Sequence, residues 1–314
     1  MALETWPKFD IDEIQAASKV LNSGRVNYWT GNECKLFEEE FASYVENKFA
    51  IGIANGSLAL YAAYKALGIK EGDEVITSPR TFIATGSSAV LHGATVKFAD
   101  VDYNSGCITA ETIQPIITSK TKAICVVHLG GWPADMKEIC QLADNYKIAV
   151  IEDCAQAHGA RIDSKSVGSF GDIAAWSFCQ DKIISTAGEG GMINTNRLDI
   201  KKKIWSYKDH GKNLDLITQT KAGGSFRWIH DEIGSNLRLT EFQSAIGRIQ
   251  LKKLNLWNKI RTKNANILIN VLKDCNIIRI PLPNTEIKHA WYKFYGFIDL
   301  ELLSEEWSRD RIIY

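Results

Sequence analysis

The chain has no surplus of charge: 37 Lys and Arg balance 37 Asp and Glu over 314 residues, a net charge of zero. No global positive field is available to gather nucleic acid or an anionic membrane. Cysteine pairs are lacking too. The seven cysteines (Cys34, Cys107, Cys125, Cys140, Cys154, Cys179, Cys275) are odd in number, widely spaced and free of any C-x-x-C, so neither a disulfide framework nor a zinc site is indicated. They read as reduced, mostly buried thiols. No apolar run approaches the roughly eighteen residues of a membrane span. The start, Met1-Ala-Leu-Glu-Thr-Trp-Pro, has no basic stretch followed by an apolar core. The expectation is a cytoplasmic protein with neither nucleic acid nor membrane as partner. Internal repeats, low-complexity tracts and Pro/Gly/Ser-rich linkers are also missing.

What is present is enough apolar material, 45% of the residues, for a substantial core. Short β-rich runs at 49–54, 74–77, 96–100, 123–128, 149–152, 174–178 and 191–195 alternate with helical patterns such as 58–67, 81–91 and 135–145. That alternation predicts an α/β fold: a large, mostly parallel seven-stranded sheet covered by helices. From Thr240 the texture changes. Thr240 and Gln243 have the form of a capping box, and the apolar spacing after them predicts one long helix to about Leu272. Beyond it, 277–280 and 291–298 read as strands of a smaller α+β unit, and 307–314 reads as a helix cut in its first turns. The organisation expected is a large domain over 1–245 and a small, incomplete C-terminal domain over 246–314.

In a parallel sheet, ligands gather at the carboxyl ends of the strands, so polar residues just past apolar runs are weighed first. Asn55-Gly56-Ser57 follows the first strand. Gly56 would let the backbone approach a ligand, and Ser57 with the free amides of a helix start would cradle a phosphate. A serine ahead of an apolar helix is equally an ordinary N-cap. At the end of the run 149–152 stands Asp153, followed by Gln156 and His158. A carboxylate at that depth would keep a pyridine nitrogen protonated, and alternation should turn Glu152 the other way. As a local motif, Asp153 could also cap the next helix, and His158 could be a structural histidine.

The sharpest place is Ser177 to Lys182, followed by Gly188-Glu-Gly-Gly191. A lysine just past a strand end, in a loop closed by glycines, can shed its proton and attack an aldehyde. Ser177 is placed to touch a phosphate. Phe82, after the run 74–77, could stack on a ring or pack in the core.

Taken together, these segments resemble the DegT/StrS-type sugar-nucleotide aminotransferases, a branch of the aspartate-aminotransferase fold (fold type I). The likeness runs from about Gly24 to the end and is carried by Gly159, Gly168-Ser-Phe-Gly171-Asp172, Ser177-Phe178, Lys182 and Gly188 to Gly191. The resemblance implies pyridoxal 5'-phosphate (PLP) held as a Schiff base on Lys182, with Asp153 on the pyridine nitrogen, Gln156 on the ring and Phe82 stacked on it. Gly56, Ser57 and Ser177 would hold the phosphate. Asn236, within Gly234 to Thr240, would reach the phosphate of a neighbouring subunit's cofactor, which implies a homodimer with shared sites.

The family analogy further implies L-glutamate as amino donor, a nucleotide-linked keto-deoxysugar as acceptor, and a place in lipopolysaccharide O-antigen or related sugar biosynthesis. Loops 26–30 and 208–210 are candidates to touch the sugar; Arg227, Arg238 and Lys212 either touch a diphosphate or the donor carboxylate or hold ordinary solvated or salt-bridged places; Trp228 and 289–292 could close over substrate, with core packing the favoured reading. Some relatives carry histidine in place of the lysine and remove a hydroxyl; Lys182 argues against that branch. A PLP lyase or dehydratase, or a silent truncated paralogue, stands as the alternative. A nicotinamide-dependent dehydrogenase is disfavoured, since no G-x-G-x-x-G follows the first strand.

Overall fold

Short strands that are apolar on both faces need a helix layer on each side, and the chain supplies both. A computed structural model describes residues 6–219 and 228–313. The strands are β1 (Phe49–Ile53), β2 (Glu74–Thr77), β3 (Thr95–Phe98), β4 (Thr121–Val127), β5 (Ala149–Asp153), the small hairpin β6 (Arg161–Ile162) and β7 (Lys165–Ser166), then β8 (Ile173–Ser177) and β9 (Gly191–Thr195). All but the hairpin form one seven-stranded sheet in the order β1-β9-β8-β5-β4-β2-β3. Only β9 runs antiparallel to its neighbours; the other pairs are parallel. The fold is thus the α/β type expected, and each of the seven expected runs supplies one of its strands.

The helices are α1 (Ile11–Ser23), α2 (Glu33–Tyr44), α3 (Gly56–Ala66), α4 (Ala84–Val90), the short α5 (Ala110–Ile113), α6 (Met136–Tyr146), α7 (Leu198–Lys208), α8 (Leu214–Gln219) and the 32-residue α9 (Glu241–Leu272). Alternation sorts the core into two faces. Ile151, Ile173 and Ala175 pack with Ala59 and Ala63 of α3 and Ala84 of α4. Ala174 and Trp176 point the other way, against Phe37 and Phe41 of α2 and Leu251 and Leu254 of α9. The capping box expected at Thr240 and Gln243 is present and starts α9. The amide of Gln243 also donates to the Glu189 carbonyl at 2.7 Å, tying α9 to the glycine-closed loop after Lys182. The boundary expected at 245/246 falls inside this helix. All seven cysteines are free, and four are buried. Among the described residues, no helix is long and apolar enough to cross a membrane.

Two expectations need correction. The helix after β1 starts at Gly56, with Asn55 as its N-cap accepting from the Leu58 amide at 2.9 Å, so Ser57 is not the cap. The run 291–298 is not one strand: only Phe297–Ile298 (β12) is extended, pairing with Ile278–Arg279 (β10). Trp291 adopts φ +51°, and the backbone around it bonds to a loop instead, Ala290 N–H to Gly131 and Lys293 N–H to Gly130, both at 2.9 Å. Ile287–Lys288 (β11) pairs with β6 in a second small sheet. Chain past α9 is thereby stitched back onto the large sheet's loops.

The neighbour of the candidate acid is itself structural. Glu152 is wholly buried, and its carboxylate accepts the N–H groups of Gly168, Phe170 and Gly171 at 2.7–2.8 Å and the His128 ring at 3.1 Å. Burial pushes this acid up, but His128 and the Gly171 and Gly168 amides outweigh it and hold it below the usual carboxylate range. A depressed acid stabilises the fold above its unfolded value, about 4.3, and the contribution is lost as pH falls through its folded value. Glu152→Gln puts an NH2 group against amide donors. It is expected to destabilise by about 3 kcal/mol in denaturant titration at pH 7; a loss under 1 kcal/mol would contradict this role.

Candidate active site

The carboxyl ends of β1, β5 and β8 and the starts of α3 and α4 surround one cavity of about 610 Å³. Parity along the strands decides what enters it. Asp153 and Ser177 share the face of Ile151 and Ala175, beneath α3 and α4, while Glu152 turns away. Of the residues singled out from sequence, Gly56, Ser57, Phe82, Asp153, Gln156, Ser177 and Lys182 all line the cavity.

Asp153 lies at the buried floor, 6% exposed. Its Oδ2 accepts from the Thr85 hydroxyl at 2.7 Å, its Oδ1 from the Ala155 amide at 3.1 Å. Thr85 is fixed in turn by the Thr81 hydroxyl, 2.8 Å away. Burial pushes the Asp153 carboxyl above the usual range, although the Thr85 bond draws it partly back. A cationic N–H beside it would relieve that burial. Gln156 accepts the Gly130 amide at 2.7 Å through its oxygen, which leaves its NH2 to offer.

At the other end, Asn55 caps only one amide of α3, and exposed Ser57 presents its hydroxyl beside the remainder. A Cβ on Gly56 would stand 2.6 Å from the Ser177 Cβ, so glycine is what lets the helix start approach the end of β8. Gly56→Ala must push the two apart. Overpacking of this kind costs about 1–3 kcal/mol, so cofactor binding is expected to weaken by about tenfold or more in a fluorescence titration. An affinity within twofold of wild type would show that this approach is dispensable.

Lys182 follows Asp181 in the loop beyond β8. Its Nζ lies 3.2 Å from the Tyr292 phenol and 3.5 Å from Asp181 Oδ2. Its carbonyl accepts the Trp6 indole N–H at 2.8 Å. Phe82, 66% exposed, stands at the mouth just before α4, which starts three residues later than the expected 81–91 helix.

Other candidates lie elsewhere. His158 is buried between Trp176 and Phe178, and burial drives its pKa down to about 3; it is a neutral core residue and does not line the cavity. Asn236 is exposed, bridged to Asp209, and outside the cavity lining. Lys212 and Arg238 both bind Asp209, at 2.7 and 2.8 Å, and neither they nor residues 26–30 line the cavity. Arg227 lies outside the described residues. Sequence reasoning gave no role to Thr85, Asp181 or Trp6 and favoured core packing for the aromatic run at 289–292. Only the polar character of Asp181, next to the lysine, was a local signal.

The pattern of the DegT/DnrJ/EryC1/StrS aminotransferase family matches residues 7–313. The chain belongs to this family. A relative from Aneurinibacillus thermoaerophilus, dTDP-3-amino-3,6-dideoxy-α-D-galactopyranose transaminase, is 38% identical over 280 residues, covering 89% of this chain and 73% of its own. A solved aminotransferase from Psychrobacter cryohalolentis is 48% identical, with TM-score 0.97 over 99% of this chain and 81% of that one. The Escherichia coli GDP-4-keto-6-deoxy-D-mannose-3-dehydratase, solved with bound hydrated PLP, is 29% identical, with TM-score 0.86 over 96% of this chain and 80% of that one. The chain is a PLP-dependent aminotransferase of the DegT family, as the sequence resemblance implied. The cavity fits the cofactor: a buried acid for the ring nitrogen, an open helix start for the phosphate, and a lysine in the same lining for the aldehyde.

Proposed function

We propose that this enzyme moves an amino group from L-glutamate to a keto group on a nucleotide-linked deoxysugar, in the building of surface polysaccharide such as lipopolysaccharide O-antigen, or of a related sugar. The observation that carries the reading is the convergence of Lys182, buried Asp153 and the open start of α3 on one cavity. Bound there, PLP supplies an electron sink for the carbon whose proton is removed.

The chain's own residues do the rest. Lys182 binds the cofactor covalently and, when released, takes the proton from the donor carbon and returns one to the acceptor. Asp153, oriented by Thr85, keeps the ring nitrogen protonated. Gln156 offers its amide to the ring's polar edge, and Phe82 covers its face. Gly56, Ser57 and Ser177 hold the phosphate with amides and hydroxyls. Asn236 serves the phosphate in a partner copy's site, so the working form is a homodimer. Residues 1–245 form the cofactor-binding domain, and 246–314 belong to the smaller one.

Lys182 supports this reading over removal of a sugar hydroxyl, because only a lysine offers an amine for both proton transfers. The test is an absorbance titration of the PLP-loaded protein. L-glutamate alone should bleach the visible band with release of one 2-oxoglutarate per site, and a keto-sugar nucleotide should restore it. Turnover of the sugar nucleotide without any donor would favour a lyase or dehydratase instead. A band indifferent to every amino acid would mark a silent paralogue.

A further inference from the structure

We propose that Tyr292 and Asp181 form a rest position for the Lys182 amine and set how fast that amine reaches the cofactor aldehyde. The inference rests on Lys182 being the lysine that binds the cofactor. Tyr292 donates its O–H to Asp181 Oδ2. With that hydrogen committed, the phenol oxygen can only accept, and Lys182 Nζ lies 3.2 Å from it and 3.5 Å from the same carboxylate oxygen. The amine also sits 4.9 Å from the centre of the Tyr292 ring.

Both holders are themselves held. The Cys179 thiol donates to Asp181 Oδ1 at 2.8 Å. Partial burial raises this acid, but the Cys179 and Tyr292 bonds and the Lys182 charge outweigh it and set it at about 2. Burial and the Asp181 charge push the phenol well above its ordinary value. Carboxylate and neutral phenol therefore coexist at any working pH. Tyr292 is anchored by the Lys293 N–H on Gly130 at 2.9 Å and by Arg261 on the Trp291 carbonyl at 3.4 Å. A lysine stem left free would spread over many rotamers. Fixed partners at one end of the cavity confine it to those from which the amine can reach the aldehyde and to which it returns each time it is released.

The test separates positioning from binding. Apo-protein is mixed with saturating PLP, and growth of the visible band reports the amine adding to the aldehyde carbon with loss of one water. In parallel, fluorescence quenching gives the affinity for pyridoxamine 5'-phosphate, which has no aldehyde and forms no bond to the lysine. Tyr292→Phe and Asp181→Asn should each slow band growth about tenfold or more, as expected for losing a hydrogen bond to a charged group. Each should leave pyridoxamine phosphate affinity within twofold. The double variant should be no slower than the slower single, because the two residues act as one unit.

Unchanged band growth, parallel loss of rate and affinity, or fully additive effects would overturn the proposal. Lys182→Ala serves as the control. A visible band in that variant would remove the premise about Lys182, and this outcome is distinct from any involving Tyr292 or Asp181.

Discussion

Lys182→Ala is expected to leave a folded protein that forms no visible band with PLP and moves no amino group from L-glutamate. The expected fall in the single-turnover rate is about 10⁴-fold or more, since one amine both holds the cofactor and carries the proton. That side chain is 13% exposed, and few polar contacts hold it. Its contacts are Asp181, half exposed, and the Tyr292 phenol, so the melting temperature without cofactor should barely move. Pyridoxamine 5'-phosphate should still bind, because the contacts proposed for its phosphate and ring, Gly56, Ser57, Ser177 and Asp153, are left in place. A variant that keeps a rate within a hundredfold of wild type would show that another base serves the reaction.

Asp153→Asn should produce the second largest loss, about 10³-fold in the same half-reaction, because the ring nitrogen would lose the charge that keeps it protonated. The substitution is isosteric: its oxygen can still accept from the Ala155 amide and its NH2 can donate to the Thr85 hydroxyl, so the loss should not come from unfolding. The stability of the cofactor-free protein should move in the opposite direction. A carboxyl whose pKa is raised by burial contributes stability below its unfolded value of about 3.9 and loses it as pH rises through the folded value. The asparagine protein should therefore be the more stable one at pH 7, and the difference should vanish below about pH 4. Denaturant titrations at the two pH values check this. Equal stability at pH 7, or a rate within tenfold of wild type, would rule out the assignment of Asp153 as the ring's acid.

That acid was legible because strand alternation is a strict geometric rule. Once 149–152 reads as a strand, Glu152 and Asp153 must face opposite layers, and only one can share the side of Ser177. The seven strands were legible for a similar reason: each is a short run bounded by polar turns, and all but the edge strand β3 are largely buried on both faces. Where residues compete for one local task, the reading slipped. Asn and Ser cap helices about equally well, and Asn55 rather than Ser57 caps α3. Thr85 was invisible because it sits inside a helix, and the turn of α4 that aims it at Asp153 is set by packing. Tyr292 was harder still. Its partner is 110 positions away, and the left-handed turn at Trp291 that delivers it has no signature in apolar spacing. Local pattern therefore marked the walls of the cavity, whereas the Tyr292 contact of the lysine came only from tertiary structure.

Lys182 is gripped from both directions along the chain, its carbonyl by Trp6 across 176 positions and its amine by Tyr292 across 110. The order of synthesis then dictates the order of assembly. A nascent chain of 245 residues already contains every wall of the cavity lined here, yet it has no phenol to receive the amine. Tyr292 leaves the ribosome after all of these walls, and contacts of such wide separation form slowly. Appearance of the full-rate covalent linkage would thus time-stamp the moment at which the far part of the chain has docked.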